Sequence, residues 1–153
     1  MREEGGGAVP VRSEFNDPVA YNAATAAEFR ANGGEVSGDF AGRPLLLLTT
    51  VGARTGMSRT TPLIYTKDGE SFVVTAADGG VDHHPGWYHN LLAEPKVTVE
   101  VGPLTLFCLA SEPKGAERDR LFADRVAATP RFGEYQAKTT RQIPIILLTP
   151  EAS

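Results

Sequence analysis

The sequence has 153 residues and a mass of 16.3 kDa, which is the size of one globular domain. Hydrophobic residues make up 41% and charged residues 22%, the composition of an ordinary soluble protein. The net charge of −4 excludes a sequence-independent nucleic-acid binder, because such proteins present an excess of positive surface. Any site for an anion must therefore be local.

The single cysteine and the short apolar runs indicate the cellular setting. Cys108 lies in the strand-like run TLFCLA and is expected to be a buried, reduced thiol. No apolar run approaches the roughly 20 residues that a membrane span needs, and MREEGGGAVPVRS lacks the apolar stretch of a signal peptide. The prediction is a cytoplasmic protein.

The N-terminal part is predicted to be a tail followed by a helix. Residues 1–14 include three consecutive glycines and are expected to be flexible, and 15–153 are expected to form a single domain. In NDPVAYNAATAAEFRANGG, Asn16 or Asp17 can cap, Pro18 suits a first turn and the last glycines end a helix over 17–32. Its apolar side chains are small, so we expect it to lie on the body of the protein or on a membrane surface.

Five apolar runs in the middle of the chain predict strands. PLLLLTTV is a buried strand that leads into the loop GARTGMSR. RTTPLIYTK and ESFVVTAA flank Asp68-Gly69, a dipeptide that supplies positive φ in a tight hairpin turn. KVTVEVG alternates valines with polar residues and meets PLTLFCLA across Gly102-Pro103, which predicts a second hairpin.

The last third of the chain is predicted to hold a helix, a helical turn and a final strand. KGAERDRLFADRVAATP sets Arg120 four residues before Asp124 and places apolar side chains on one helical face. That face consists of Ala116, Leu121, Phe122 and Val126. FGEYQAKTTR adds a helical turn before the strand IPIILLT. Six strands joined mainly by hairpins predict a mainly β fold with flanking helices, a six-stranded antiparallel barrel rather than a parallel sheet.

The loop TTVGARTGMSR, from Thr49 to Arg59, is a candidate anion site. Its glycines let backbone N–H groups turn toward an anion, its hydroxyls add donors, and arginine pairs with phosphate oxygens bidentately. The spacings G-x-x-x-x-G-K-[ST] and G-x-G-x-x-G are both absent. These residue types suit a phosphate, but composition alone favours the alternative, a polar hairpin loop without a ligand.

The stretch DGGVDHHPGWYHN holds all three histidines, His83, His84 and His89, and the only tryptophan. Together with Asp82 these histidines resemble a set of metal ligands. Adjacent histidines diverge, however, and no H-x-x-x-H pair is present, so no metal site is predicted. A G-x-S-x-G nucleophile motif is also absent from the chain.

The same stretch contains a predicted helix start. Pro85 and Gly86 begin a helix whose first turn carries the residues W-Y-H-N. A helix N-terminus directs N–H groups and a positive dipole end outward, which would suit the wall of a ligand site. A surface turn in which Trp87 anchors the helix to the core is the alternative, and the residues alone leave both open.

The chain resembles the deazaflavin-dependent nitroreductase family of actinobacteria, reductases that use coenzyme F420. The resemblance rests on PLLLLTTVGARTGMSRTTPLIY, the D-G hairpin, HPGWYHNLLAEPKVTVEVG, GAERDRLF, FGEYQ and RQIPIILL, and it covers residues 25–149. The elements W-Y-H-N-L and T-T-x-G-x-x-[ST]-G are specific in combination. The family implies a split β-barrel like that of flavin reductases, and hydride transfer from F420H2 to a quinone, a nitroaromatic compound or an activated enone.

The resemblance also implies which residues hold the coenzyme. The loop from Ala53 to Arg59 holds its phosphate and glutamate tail, 60–64 lie along the deazaflavin, 75–78 close one side, and 86–90 lie against it. The implied cofactor-binding residues are Ala53, Arg54, Thr55, Gly56, Ser58, Arg59, Thr60, Thr61, Pro62, Leu63, Ile64, Thr75, Ala76, Ala77, Asp78, Gly86, Trp87, Tyr88, His89, Asn90 and Phe132.

The chain departs from the family pattern at two places. Serine and a basic residue are common in the family where this chain has Ala77 and Asp78, which removes one hydroxyl contact and one charge for the tail. Family members of nitroreductase type also carry several tyrosines near the C-terminal helix. The matching positions here are Thr129, Phe132 and Tyr135, of which only Tyr135 keeps a phenol.

Catalysis through a deazaflavin requires no covalent side-chain catalyst. The protein must orient the ring, stabilise negative charge on the acceptor and shield the site. Tyr135, with Tyr65, is therefore predicted to hydrogen-bond the acceptor or to pass it a proton. A purely packing role for Tyr135 is the alternative.

Two functions of other classes fit the same residues. A non-catalytic F420 carrier would bind the coenzyme without turnover, and an FMN-dependent split-barrel oxidoreductase would be yellow as purified. The expected partners are a small-molecule hydride acceptor and no nucleic acid. A homodimer and a weak peripheral contact of residues 17–32 with the inner face of the membrane are further options.

Overall fold

The computed structural model of the protein describes residues 18–77 and 84–151. The predicted tail, Asp78, Asp82 and His83 lie outside these ranges. The helices are α1 (Pro18–Ala31), a 3-10 helix (Gly38–Phe40), α2 (Gly86–Ala93), α3 (Gly115–Ala128) and α4 (Arg131–Ala137). The strands are β1 (Leu45–Val51), β2 (Ser58–Ile64), β3 (Thr66–Asp68), β4 (Ser71–Thr75), β5 (Lys96–Val101), β6 (Leu104–Ser111) and β7 (Ile145–Pro150).

The strands form one antiparallel sheet in the order β2-β1-β5-β6-β7-β4-β3. Its two outermost strands, β2 and β3, are consecutive in the chain and are separated only by Tyr65. The sheet must therefore curl until its edges meet, which confirms the predicted antiparallel barrel with flanking helices. The described part of the chain has seven strands rather than six, because the run RTTPLIYTK divides at Tyr65 into two strands with different neighbours.

Both predicted hairpins are confirmed. Asp68 pairs with Ser71 around Gly69, whose φ is +62°, a conformation that glycine adopts without steric cost. Val101 pairs with Leu104 around Gly102, whose φ is +55°. These positive φ values are the local feature that the D-G and G-P dipeptides indicate.

Strand β1 lies between two apolar layers, which explains its run of four leucines. Leu46 and Leu48 point into the main core with residues of β4 to β7. Leu45 and Leu47 pack against Ala26 and Phe29 of α1 on the other side. The predicted N-terminal helix is thus held on the body of the protein by its buried side chains.

The C-terminal end of α1 is fixed to the β5–β6 hairpin. Arg30 donates to both carboxylate oxygens of Glu100, at 2.8 and 2.9 Å. This contact raises the pKa of Arg30 and lowers that of Glu100, chiefly through the hydrogen bonds. Gly34 approaches Gly102 so closely that a Cβ on Gly34 would lie 2.6 Å from the Cα of Gly102.

None of the described helices is long and apolar enough to cross a membrane.

Cys108 lies in the main core and is fully buried, as predicted. Burial, with a smaller contribution from Glu151, raises the pKa of its thiol to about 11. The thiol therefore stays protonated at neutral pH.

Helix α3 departs from its predicted pattern. Leu121 is buried and Phe122 and Val126 are half-buried, but Ala116 is exposed, so its assignment to the buried face was wrong. The helix instead buries Arg118 and Arg125. A prediction from hydrophobic pattern assigns every arginine to the exposed face. These two are buried because Arg118 donates to the carbonyl of Ile143, just before β7, and Arg125 donates to carbonyls of the sheet.

Candidate functional site

An open groove of about 1530 Å³ runs along β2 between α1, the loop before β2, the start of α2 and helix α4. Typical sites for one small ligand are about 300–1,000 Å³, so the groove has room for two. Its lining comprises Val19, Tyr21, Asn22, Ala23, Ala26, Ala27, Arg30, Asp39, Phe40, Arg43, Gly52, Ala53, Arg54, Thr55, Ser58, Arg59, Thr60, Thr61, Pro62, Leu63, Ile64, Thr75, Ala77, Pro85, Gly86, Trp87, Asn90, Arg131, Phe132 and Tyr135.

One end of the groove is a compact loop between β1 and β2. The N–H of Gly52 donates to the carbonyl of Met57 at 2.7 Å, and that of Gly56 donates to the carbonyl of Gly52 at 2.9 Å. Gly56 has a φ of +72°, and a Cβ on Gly52 would lie 2.8 Å from Oγ1 of Thr55. The glycines therefore make the turn itself rather than a backbone cradle.

Three backbone N–H groups of this loop are not available to an anion, whereas three of its side chains are. The N–H groups of Gly52, Gly56 and Met57 are already bonded within the loop. Arg54, Ser58 and Arg59 are exposed and line the groove. The predicted anion site thus depends on guanidinium and hydroxyl donors more than on the backbone.

Asn90 of helix α2 holds this loop in place. Its Oδ1 accepts the N–H of Ala53 at 2.9 Å, and its Nδ2 donates to Oγ1 of Thr50 at 3.1 Å. The amide side chain supplies one acceptor and one donor, so it links the loop, β1 and α2 through a single residue. Asn90 is accordingly a positioning residue for the arginine-bearing loop.

The floor of the groove is strand β2. Thr60 to Ile64 line it, with Pro62 buried and its neighbours half-buried. Oγ1 of Thr49 and Oγ1 of Thr60 lie 2.8 Å apart, so one hydroxyl donates to the other across the strand pair. Trp87 is 7% exposed and contributes to both the groove wall and the main core. The two roles considered for Trp87, ligand wall and core anchor, are thus combined in one side chain.

The other end of the groove is aromatic. Phe132 and Tyr135 of α4 line it with their rings in an edge-to-face arrangement, 5.5 Å between centroids. Among the described residues, the Tyr135 hydroxyl has no hydrogen-bond partner. A half-buried phenol at a groove wall with its hydrogen-bonding capacity free can bond to a ligand.

The charge along the groove is positive, although the chain as a whole carries −4. Of the described residues that line it, the charged ones are the single acid Asp39 and the arginines Arg30, Arg43, Arg54, Arg59 and Arg131. Only Arg30 of these arginines forms an ion pair with a described carboxylate. The groove therefore favours a ligand with several negative charges.

The profile of a known family matches most of the chain. This is the profile described as F420H(2)-dependent quinone reductase, and it matches residues 22–150. The chain belongs to the F420H2-dependent quinone reductase family.

Named relatives agree with this membership. An F420H(2)-dependent quinone reductase of Mycobacterium tuberculosis (strain ATCC 25618 / H37Rv) is 38% identical over 126 residues, 79% of this chain and 84% of the relative. A solved F420-H2 dependent reductase, FDR-A, is 38% identical with a TM-score of 0.64, covering 69% of this chain and 94% of that one. Another solved chain, a domain-swapped dimer, has the same identity and TM-score and covers 69% and 80%.

Membership of the quinone reductase family confirms several predictions. The protein is an oxidoreductase, its cofactor is coenzyme F420, and its fold is the antiparallel split barrel. The groove fits this cofactor. Arg54, Ser58 and Arg59 are side chains of the type that binds a phosphate, and β2 supplies the apolar side chains of Pro62, Leu63 and Ile64 for a ring system.

Most of the residues predicted to contact the cofactor line the groove in this reductase. They are Ala53, Arg54, Thr55, Ser58, Arg59, Thr60, Thr61, Pro62, Leu63, Ile64, Thr75, Ala77, Gly86, Trp87, Asn90 and Phe132, together with the predicted catalytic residue Tyr135. Residues separated by up to about eighty positions are thus brought to one cavity.

Of the predicted site residues within 18–77 and 84–151, five do not line the groove: Gly56, Tyr65, Ala76, Tyr88 and His89. Tyr65 packs on the main core with its ring 5.3 Å from that of Phe72, edge to face. The Tyr88 hydroxyl donates to Glu112 at 2.7 Å, and burial followed by this bond raises the pKa of Tyr88 to about 12. Ala76 is fully buried.

Two of the three histidines lie within the described residues. The ring of His84 lies 4.6 Å from that of Tyr88 and 5.9 Å from that of His89. Nδ1 of His84 lies 2.9 Å from Nη1 of Arg141. Nη1 also donates to the carbonyl of Ala76, and Nη2 donates to the carbonyl of Ala77. Within the described ranges no three metal-ligating side chains cluster.

Two groups of lining residues were not predicted from the sequence. The first is the inner face of α1, of which no individual residue was predicted to line the site. The second includes Asp39, Phe40, Arg43 and Arg131, which lie near the ends of helices or just before β1 and carry no motif. Only the curl of the sheet brings them to the groove, so no local signal indicates them.

Proposed function

We propose that the protein transfers a hydride from F420H2 to a quinone. The observation that carries this proposal is a groove of about 1530 Å³ with an arginine-bearing loop at one end and an aromatic end with a free phenol at the other. The bound coenzyme supplies the hydride and accepts no covalent bond from the protein. The chain itself must bind, orient and shield the reactants.

Binding and orientation are assigned to the loop and to β2. Arg54, Ser58 and Arg59 bind the phosphate and the acidic tail, and Asn90 keeps their loop fixed relative to α2. Residues 60–64 line the floor of the groove, where they would hold the ring, and Trp87 would bound it on the α2 side. Ala77, which lines the groove where a hydroxyl is common in the family, leaves the ring with one hydrogen bond fewer.

Tyr135 is proposed to act on the hydride acceptor. A quinone oxygen gains negative charge as the hydride arrives, and a positioned phenol can donate a hydrogen bond or a proton to it. The hydroxyl of Tyr135 is available because no described side chain or carbonyl occupies it. Tyr65 does not line the groove, so the role falls to Tyr135 alone.

Nitroaromatic compounds and activated enones are proposed as further acceptors. The acceptor end presents the rings of Phe40, Phe132 and Tyr135, which can pack against any flat ligand. Tyr135 can donate equally to a nitro oxygen or to an enone carbonyl. Such a surface would bind flat molecules that carry an acceptor oxygen, whatever their ring system.

The proposal is tested by binding and turnover. We expect F420 to quench the fluorescence of Trp87, the only tryptophan, because this side chain lines the groove. We also expect menadione to oxidise F420H2 in the presence of the enzyme, followed as the return of the absorbance of oxidised coenzyme. A nitroimidazole and a coumarin-type enone are assayed in the same way.

Each alternative has its own outcome in these assays. Saturable F420 binding without oxidation by any acceptor would identify a carrier and contradict the proposal. Tight binding of FMN, with a yellow protein after purification, would contradict the assignment of the groove to the deazaflavin. FMN is a suitable control because it has a related tricyclic ring and a phosphate but lacks the acidic tail.

Tyr135→Phe tests the role of the phenol. We expect kcat with menadione to fall by about tenfold or more, with unchanged F420 affinity, because the ring contact with Phe132 is kept and only the donor is lost. The measurement is steady-state oxidation of F420H2 in water and in deuterium oxide. Tyr65→Phe is the matched control and is expected to behave as the parent protein, since Tyr65 does not line the groove. Equal rates for Tyr135→Phe and the parent with several acceptors would refute the donor role.

A further inference from the structure

The groove has a second cluster of arginines, far from the loop that carries Arg54. Strand β2 runs from Ser58 to Ile64, and six residue steps of about 3.3 Å separate its ends by about 20 Å. Arg54 and Arg59 lie at the Ser58 end. The other cluster, Arg43, Arg125 and Arg131, lies at the Ile64 end, and we call it the distal arginine cluster.

Contacts fix the distal arginine cluster at the Ile64 end. The guanidinium of Arg125 donates to the carbonyl of Ile64 at 2.9 Å. Arg43 lies just before β1, whose Leu45 pairs with Ile64, and it donates to Oγ1 of Thr129 at 3.4 Å. Arg131 is the first residue of α4 and adjoins Phe132, whose ring centroid lies 5.1 Å from the Arg125 guanidinium.

Ion pairs do not offset the positive charge of this cluster. Neither Arg43 nor Arg131 forms an ion pair with a described carboxylate, although both line the groove. Asp39, the one acid among the described lining residues, is exposed and accepts the hydroxyl of Tyr21 at 3.0 Å.

Arg125 adds a fully buried charge behind this wall. It donates only to neutral oxygens, those of Thr75, Ile64 and Val73, and its second terminal nitrogen, Nη1, has no partner. Burial and the nearby charge of Arg43 lower the pKa of Arg125 to about 10, so it remains protonated at neutral pH. Like charges that are close together with little counter-charge favour the binding of an anion between or in front of them.

We propose that Arg43 and Arg131 bind an anionic group, a carboxylate, on the hydride acceptor. This inference rests on the proposed function, which places the phosphate and acidic tail of the coenzyme at the Arg54 end. The ring then lies along β2, and the acceptor occupies the end beside Phe132 and Tyr135. A carboxylate on the side of the acceptor that points away from the deazaflavin would reach the guanidinium groups of Arg43 and Arg131. A guanidinium group binds a carboxylate through paired N–H donors.

The test compares two acceptors that differ only in this charge. One is a 2-methyl-1,4-naphthoquinone with a carboxyethyl chain at position 3, and the other is its methyl ester. Because the chain is saturated, the two quinone rings have nearly the same reactivity. We expect the acid to have the lower KM with the parent enzyme. In Arg43→Gln and Arg131→Gln, the ratio of the acid KM to the ester KM is expected to rise by about tenfold.

Binding is measured without turnover as well. The acid is titrated calorimetrically into the enzyme that holds oxidised F420. We expect the affinity for the acid to be about tenfold lower in Arg43→Gln than in the parent enzyme. Arg120→Gln is the matched control, because it removes the same charge from α3 outside the groove. Its acid-to-ester ratio is expected to equal that of the parent enzyme.

Several outcomes would overturn the inference. An acid-to-ester ratio that is the same in the parent, Arg43→Gln and Arg131→Gln enzymes would show that the cluster does not bind the acceptor. A loss of F420 affinity in Arg43→Gln with an unchanged ratio would assign the cluster to the coenzyme instead. If the ester is reduced and the acid is not preferred, the inference fails and the proposed function stands. If neither quinone is reduced, the proposed function fails, and the titration still decides whether the anion binds.

Discussion

Arg125→Met is expected to lower the free energy of unfolding by about 3 kcal/mol. The guanidinium of Arg125 connects three elements, since it belongs to α3 and donates to Ile64 at the end of β2 and to Val73 and Thr75 of β4. Methionine fills a similar volume but leaves these buried oxygens without that donor. The measurement is urea denaturation, with the shift in midpoint converted at constant m-value.

Two further variants give this prediction its controls. Arg120→Met removes an exposed arginine of the same helix and is expected to change stability by less than about 0.5 kcal/mol. Arg125→Lys keeps the charge but cannot reach all three acceptors with a planar fork, so we expect an intermediate loss. If Arg125→Met were as stable as the parent protein, the cost of burying the charge would equal the gain from its hydrogen bonds.

Arg54→Ala is expected to raise the Kd for F420 by about ten- to a hundredfold, and the double variant with Arg59→Ala by more. These guanidinium groups are exposed and line the groove, and they form no ion pair with a described carboxylate. Charge-assisted bonds to phosphate oxygens therefore account for much of the affinity. The measurement is quenching of Trp87 by F420 at low and at high ionic strength.

The salt dependence separates this role from a structural one. Affinity of the parent protein is expected to fall as salt is added, because exposed charges are screened, and the dependence is expected to be weaker in Arg54→Ala. Arg120→Ala is the control for net charge, since it lies outside the groove. An unchanged Kd for F420 in Arg54→Ala would show that this loop does not bind the phosphate.

Local features of the chain were predictable because their causes are local. Positive φ at Gly69 and Gly102 requires only the turn itself. The helix predicted over 17–32 was found at Pro18–Ala31, because capping and propensity act within a few residues. The resemblance to F420-dependent reductases rested on short motifs, and family membership confirmed it together with the cofactor and the fold.

Errors occurred where long-range packing outweighs local pattern. RTTPLIYTK has the composition of one strand, yet it divides at Tyr65 because the barrel needs that segment to pair with β1 first and with β4 afterwards. The buried face of α3 was predicted from hydropathy. Hydropathy does not indicate that Arg125 is buried, because its hydrogen bonds go to carbonyls of β2 and β4, which are distant in sequence. Tyr65 was paired with Tyr135 as a catalytic candidate, but it packs against the core.

The sequence by itself determined the turns, every strand except the division at Tyr65, the arginine-bearing loop and the helix start at Gly86, since each depends on residues within about one turn or one hairpin of one another. The tertiary structure alone decided which arginines come together at the far end of the groove. Arg43, Arg125 and Arg131 are spread over almost ninety positions and have no shared motif. They meet because the antiparallel sheet curls until the far end of β2 lies under α3 and α4, and no interaction between neighbours in sequence encodes that approach.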